Sequence, residues 1–282
     1  MANVIKGKEV VKNFLVINRK NDYKAYNKVP KLSIIRVGES ESEKAYERSV
    51  MNKLVPLGIE CVSTVLEESV NQDVFDQTFN EINQDEEIHG ILLLKPVPKH
   101  ISLAHVIETI NPKKDVDCIG ATNMARIYQE GKKGFIPCTA EAVMQIINFE
   151  EIDLKGKSVV MVGFGMVIGR PLTLLLVEAG STVTVCNEFT KDLKQESSRA
   201  DVLIVATGVK HLIEENHVKQ DAVVIDVGIN VDEDGRIVGD VDFDAVSKKA
   251  GSITPVPGGV GTVTTYVLAD HVFKAFELQQ HS

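Results

Sequence analysis

No run of eighteen apolar residues occurs in this 282-residue chain, so nothing in it reads as a membrane-spanning helix. The opening stretch MANVIKGKEV lacks the apolar centre of a secretory signal, and a cytoplasmic protein without a membrane partner is expected. Positive charge is also short. The net charge is -9 and the basic residues are scattered, which argues against a nucleic-acid surface. The four cysteines, at 61, 118, 138 and 186, make no CxxC pair and read as reduced thiols. The seven histidines show neither HExxH nor paired Cys/His spacing, so no metal site is expected. Internal repeats and low-complexity tracts are missing too. What remains, 44% hydrophobic and 25% charged, is a globular composition long enough for two domains.

Residues 31–37 (KLSIIRV), 59–67 (IECVSTVLE) and 89–95 (HGILLLK) read as strands, separated by helix-like patterns at about 42–56 and 70–84. Crossovers of that length make the strands parallel, a βαβαβ unit. Ala142, Val143, Ile146 and Ile147 are spaced for a linking helix. From Gly156 onward, KSVVMVG, PLTLLLVEAG, STVTVC, DVLIVATG and AVVIDVG carry a second alternation that predicts a Rossmann-like half. Val267, Leu268, Val272, Phe273 and Phe276 predict a C-terminal helix. The expected fold is α/β in two domains with a cleft between them. A βαβ parallel-sheet domain takes residues 1–139, and a Rossmann-like NAD(P)-binding domain takes 140–263.

Two loops carry the chemistry. Gly163, Phe164, Gly165 and Gly169 follow a strand and open a helix, the setting in which glycines let a pyrophosphate approach the backbone at a helix N-terminus. Without those flanks the same spacing would suit simple helix packing. Glu188 lies 19 residues beyond Gly169, where an acid is expected to accept from a ribose 2′-hydroxyl and to repel a 2′-phosphate. That favours NAD over NADP, against the plainer reading of a solvated loop acid. The second loop is Ile253-Thr-Pro-Val-Pro-Gly-Gly-Val-Gly-Thr-Val-Thr264, in which Pro255 and Pro257 fix φ beside Gly258, Gly259 and Gly261. Such a rigid, side-chain-poor loop suits a flat ligand, although a single glycine pair would suit a tight turn.

The run ITPVPGGVGTVT resembles the signature ITPVPGGVGPMT of the bifunctional methylenetetrahydrofolate dehydrogenase/cyclohydrolase (FolD) family. The likeness continues in order through Tyr46, GILLLKPVPKHI at 90–101, PKKDVDCIG at 112–120, FIPCT at 135–139 and GFGMVIGRP at 163–171. It implies a dehydrogenase of one-carbon metabolism with a tetrahydrofolate derivative as substrate and NAD or NADP as cofactor. It also implies a homodimer, and a final helix, about 264–282, that returns to the first domain. In the family a Tyr, a Lys four residues later and a Gln at a strand end form the cyclohydrolase centre. Tyr46 matches the Tyr, but Val50 stands at the Lys position and Leu94 at the Gln position. Neither can donate a proton or stabilise an oxyanion.

Lys53 shares a helix face with Tyr46 and is a candidate stand-in, although Pro56 disfavours regular helix there. Lys95 is the other candidate, although neighbouring strand residues face opposite ways. By resemblance, Asp117 binds the pterin, Val50 and Leu94 line its pocket, and Pro257, Gly258 and Gly259 face the aromatic portion of the folate. A turn-capping role is the alternative for Asp117. The family's polar or basic residues after the second Rossmann strand suit NADP, and Glu188 departs from them. The expected protein is therefore a 5,10-methylenetetrahydrofolate dehydrogenase whose cyclohydrolase activity is lost or weak. The alternatives are an inactive relative that binds folate or nucleotide for a partner, and a dehydrogenase for another small substrate.

Overall fold

The computed structural model describes residues 1–12, 28–129 and 134–280; positions 281–282 of the expected final helix lie outside them. Two compact units divide the chain: Met1–Asn13 with Thr139–Thr264, and Phe14–Cys138 with Thr265–Ser282. The strand β1 (Asn3–Val4) and the helix α1 (Gly7–Val11) come first. Residues 1–13, assigned above to the first domain, group with the other unit because β1 pairs in parallel with a strand at Ser252–Ile253. Two residues carry too little pattern to predict such a pairing.

The unit built on Phe14–Cys138 holds β2 (Lys31–Val37), α2 (Glu41–Leu54), β3 (Glu60–Leu66), α3 (Gln72–Gln84) and β4 (Gly90–Leu93). Its strands run parallel in the order β3-β2-β4. All of β4 and most of β2 are buried, as expected of near-continuous apolar runs covered on both faces. Asn71 caps α3 by accepting from the Val74 N–H at 2.9 Å. One turn apart on α3, Phe75 and Phe79 enter the core with Ile35, Val37, Ile91 and Leu93. The short helices α4 (Ala104–Thr109) and α5 (Ala121–Arg126) complete the segment.

The other unit takes nearly all of α6 (Cys138–Phe149), then β5 (Ser158–Val162), α7 (Gly169–Glu178), β6 (Thr182–Cys186), α8 (Leu193–Ser197), β7 (Val202–Val205) and β8 (Val223–Asp226). A small hairpin, β9 (Asn230–Val231) with β10 (Ile237–Val238), the helix α9 (Phe243–Val246) and the strand β11 (Ser252–Ile253) follow. Its six-stranded sheet, in the order β1-β11-β8-β7-β5-β6, is parallel throughout, and its core gathers Val160, Val162, Leu203, Val205, Val224 and Ile253. The last helix, α10 (Val260–Gln280), carries His271, Phe273 and Phe276 into burial, and the Phe276 ring meets His89 edge-on at 4.8 Å. Among the described residues no helix is long and apolar enough to cross a membrane.

Asp226, at the end of β8, gives this unit a pH-dependent element. Its carboxyl is 3% exposed and accepts N–H bonds from Gly228, Asp240 and Val241 at 2.9–3.1 Å. Burial still outweighs those bonds and, with Asp240 acting the same way, pushes its pKa up from 3.8 to about 6. The native state therefore holds a proton that the unfolded chain has released. This contribution, on the order of 3 kcal/mol, is complete below the unfolded value and is lost as pH rises through about 6. Melting curves of wild type and Asp226→Asn should show the wild-type advantage shrinking between about pH 4 and 7. A constant gap would mean that Asp226 is already ionised in the native state at the acid end.

Candidate functional site

At the C-terminal end of β4, where ligands of parallel sheets commonly bind, lies a pocket of about 250 Å³. Glu43, Tyr46, Leu94, Lys95 and Asp117 are among its lining residues. Three of the residues expected from the sequence, Tyr46, Leu94 and Asp117, thus converge. Val50 does not line the pocket; it is fully buried beneath α2, one turn beyond Tyr46. Lys53 lies outside the lining as well. Regular helix persists to Leu54 before a 3-10 turn at Val55–Leu57 accommodates Pro56, and the Lys53 amine donates to Thr265 Oγ1 at 3.3 Å. Lys95 does reach the pocket. β4 ends at Leu93, so the alternation argued against Lys95 no longer applies there.

The two aspartates of KDVDC divide their labour. Asp115 is fully buried and organises the turn: Oδ1 accepts from the Ile119 N–H at 2.8 Å, and Oδ2 from the Gly120 N–H and Asn123 Nδ2 at 3.1 and 3.0 Å. The turn-capping role weighed for Asp117 thus belongs to its neighbour. Asp117 instead lines the pocket and accepts from Cys138. Directly after Asp117, Cys118 takes a left-handed φ of 55°, a conformation that glycine adopts most readily. Loss of water raises the Asp117 pKa, against the pull of Lys95. Loss of water and then the Asp117 charge hold the Tyr46 phenol above its ordinary value. Tyr46 is a hydroxyl donor in this setting, not a base.

Behind the pocket, the buried Arg36 guanidinium donates from Nε to Glu47 Oε2 at 2.9 Å and from Nη1 to the Gly38 carbonyl. Glu47 also accepts from the Ser63 hydroxyl. Both charged side chains are close to nine-tenths buried, so removing either strands the other. Arg36→Met should cost about 3–5 kcal/mol in denaturant unfolding, and Arg36→Met with Glu47→Met markedly less than the sum of the singles. Additive losses would mean that the pair is not coupled. Glu43, one turn before Glu47, is 7% exposed, and its Oε2 has no hydrogen-bond partner among the described residues. Burial raises its pKa while Arg36 opposes the rise.

In the other unit, the turn after β5 is shaped for a dinucleotide. Gly163 sits at φ 101°, and a Cβ there would lie 2.2 Å from the Ala206 carbonyl oxygen; one on Gly169 would lie 2.2 Å from that of Gly163. Space around Gly165 is open, and α7 begins without a side-chain cap; in its first turn the Arg170 N–H donates to the Gly165 carbonyl at 3.0 Å and Pro171 has no N–H. Phe164, half-exposed, carries Arg170 over its ring at 5.2 Å. The Gly163 N–H donates to the Cys186 carbonyl at 2.9 Å, which ties this turn to the end of β6 and so to Glu188 two residues on. Glu188 is exposed on a turn closed by Asn187 and Thr190, and it makes no ion pair among the described residues. The backbone of the turn therefore fits a dinucleotide, and Glu188 lies two residues past the end of β6.

Pro257, Gly258 and Gly259 also belong to this unit, whereas Tyr46 and Asp117 belong to the other. Pro257 and Gly258 are exposed and Gly259 is buried; Gly258 needs its φ of 101°, and its carbonyl accepts from the Gly7 N–H at 2.8 Å. Among the described residues no group of three or more metal-binding side chains occurs.

Comparison with known proteins matches residues 5–117 to the tetrahydrofolate dehydrogenase/cyclohydrolase catalytic domain and residues 137–280 to the NAD(P)-binding domain of the same family. The chain is 41% identical over 283 residues to the bifunctional protein FolD of Alkaliphilus metalliredigens, covering 100% of both chains. Among solved structures it superimposes on the FolD methylenetetrahydrofolate dehydrogenase/cyclohydrolase of Campylobacter jejuni with a TM-score of 0.93 and 36% identity, covering 99% of this chain and 100% of that one. The Trypanosoma brucei FolD, solved with NADP and an inhibitor, gives a TM-score of 0.93 at 31% identity, covering 100% of this chain and 99% of that one.

Proposed function

The chain belongs to the tetrahydrofolate dehydrogenase/cyclohydrolase family, and from that premise we propose that it is a 5,10-methylenetetrahydrofolate dehydrogenase that prefers NAD and has lost most or all of its cyclohydrolase activity. One observation carries this reading: Tyr46 and Asp117 share a pocket in which the position of the family's glutamine is the apolar Leu94, while the position of its lysine, Val50, is sealed in the core. Binding groups are kept and hydrolytic groups are not.

In this reading Asp117 accepts from the paired N–H donors of the pterin, which fixes the ring, and the Tyr46 hydroxyl donates to the bound folate. Leu94 and its apolar neighbours exclude water from the reacting carbon, which favours oxidation over hydrolysis. A bound nicotinamide would supply the hydride acceptor, with the Gly163–Gly169 turn at the α7 N-terminus holding the pyrophosphate and Glu188 the ribose, so that the chain's own part is positioning. Calorimetry with tetrahydrofolate should show binding that Asp117→Asn weakens by at least about tenfold, since one charge-assisted pair is lost. Unchanged affinity in Asp117→Asn would remove the folate assignment from this pocket.

A further inference from the structure

Glu43, Glu47, Val50 and Leu54 are the buried residues of α2. Glu47 is satisfied: Arg36 Nε donates to it at 2.9 Å and Ser63 donates to its other oxygen. Arg36 is also committed, since its remaining contacts go to the Gly38 carbonyl and to Glu39 at 3.5 Å. Glu43 is the surplus acid. It is more than nine-tenths buried, its Oε2 has no hydrogen-bond partner among the described residues, and it lines the pocket with Tyr46, Lys95 and Asp117. Natural folds rarely leave such an acceptor unpaired. Its Oε2 is screened from solvent while the residue lines the pocket, so the partner that suits it is a positive charge in the pocket, felt through space.

The reaction assigned above generates a cation. The C–H bond at the bridging carbon of 5,10-methylenetetrahydrofolate breaks, and the hydrogen leaves with both bonding electrons for the oxidised nicotinamide. The N5–C–N10 unit is left as an amidinium carrying one positive charge. No proton is released. A fixed acid facing that unit would favour the charge as it forms.

We propose that Glu43 is the counter-charge for the amidinium of the bound product, and hence a residue that favours the cationic folate over neutral folates in this pocket. The assignment rests on the folate reading of the site and goes beyond it, because it gives a role to a residue that binding of the pterin does not require. The absence of a lysine at position 50 fits the same logic. A second ammonium close to Tyr46 would oppose the cation that Glu43 favours.

The test compares 5,10-methenyltetrahydrofolate, which carries this charge on its one-carbon bridge, with tetrahydrofolate, which has neither the bridge nor the charge. Both are titrated by rapid mixing into wild type, Glu43→Gln and Glu43→Ser, and read within seconds from the signal of the ligand itself. The ratio of cation affinity to neutral affinity should fall by about tenfold or more in both variants, while tetrahydrofolate binding moves by less than about twofold. An unchanged ratio in either folded variant overturns the proposal. Equal losses for both ligands also overturn it, because they would mark Glu43 as structural. If wild type binds neither folate, the folate reading itself fails and takes this assignment with it; a wild type that binds both with an unaltered ratio in the variants leaves that reading standing and removes only Glu43.

Discussion

Wild-type protein given 5,10-methenyltetrahydrofolate should hydrolyse it at little above the spontaneous rate, and Val50→Lys combined with Leu94→Gln should raise hydrolysis by on the order of a hundredfold or more. The expectation follows from chemistry and burial together. Valine and leucine offer no proton, no water-orienting donor and no charge, and here they are 0% and 4% exposed. Long side chains on a helix lean toward its N-terminus, so a lysine at position 50 would run back along α2 to the Tyr46 hydroxyl. It would also start from a fully buried site, and the double variant should melt below wild type because a desolvated ammonium is costly. Leu94→Gln alone, placed in the pocket wall, should cost less stability and recover less activity. Lys53→Met and Lys95→Met serve as controls. Robust wild-type hydrolysis that survives both controls would contradict the account, whereas hydrolysis abolished by Lys95→Met would show that the lysine has moved along the chain.

The second large effect concerns the nucleotide. NAD should bind at least about tenfold more tightly than NADP, because a 2′-phosphate would meet the Glu188 carboxylate at close range, and each tenfold corresponds to about 1.4 kcal/mol. Glu188 is free to act in this way: it is exposed, makes no ion pair among the described residues, and follows the strand end to which the Gly163 turn is bonded. Because the site is open to water, salt should narrow the gap, and Glu188→Ser should narrow it further. Equal affinity for the two nucleotides by calorimetry at low salt would show that Glu188 does not reach the ribose.

Most strands of the two parallel sheets were legible because parallel strands are near-continuous apolar runs, and KLSIIRV, ILLL and VVMV can be little else, whereas β1 and β11, two residues each, left no such run. Asp117 and Tyr46 were legible through resemblance, and the structure adds their shared pocket. Lys95 was undervalued for a local reason. Strand alternation was extended two residues past Leu93, where β4 in fact stops. Lys53 could not have been placed from sequence, since its partner Thr265 lies 212 positions away on α10. Glu43 was invisible for a different reason: a glutamate in an exposed-looking ESEKAYE stretch reads as solvated, and only Arg36, contributed by β2, makes buried acids on α2 tolerable. Tertiary pairings of that kind leave no periodic trace.

The most direct test of the central claim is to incubate the protein with 5,10-methylenetetrahydrofolate and NAD, then quantify reduced nicotinamide, 5,10-methenyl and 10-formyl folates at intervals by chromatography without an acid quench. The account predicts that reduced nicotinamide and the methenyl product rise together, with the 10-formyl product appearing only at the spontaneous rate. A 10-formyl product that keeps pace with reduced nicotinamide, or no reduction of NAD at all, would contradict it.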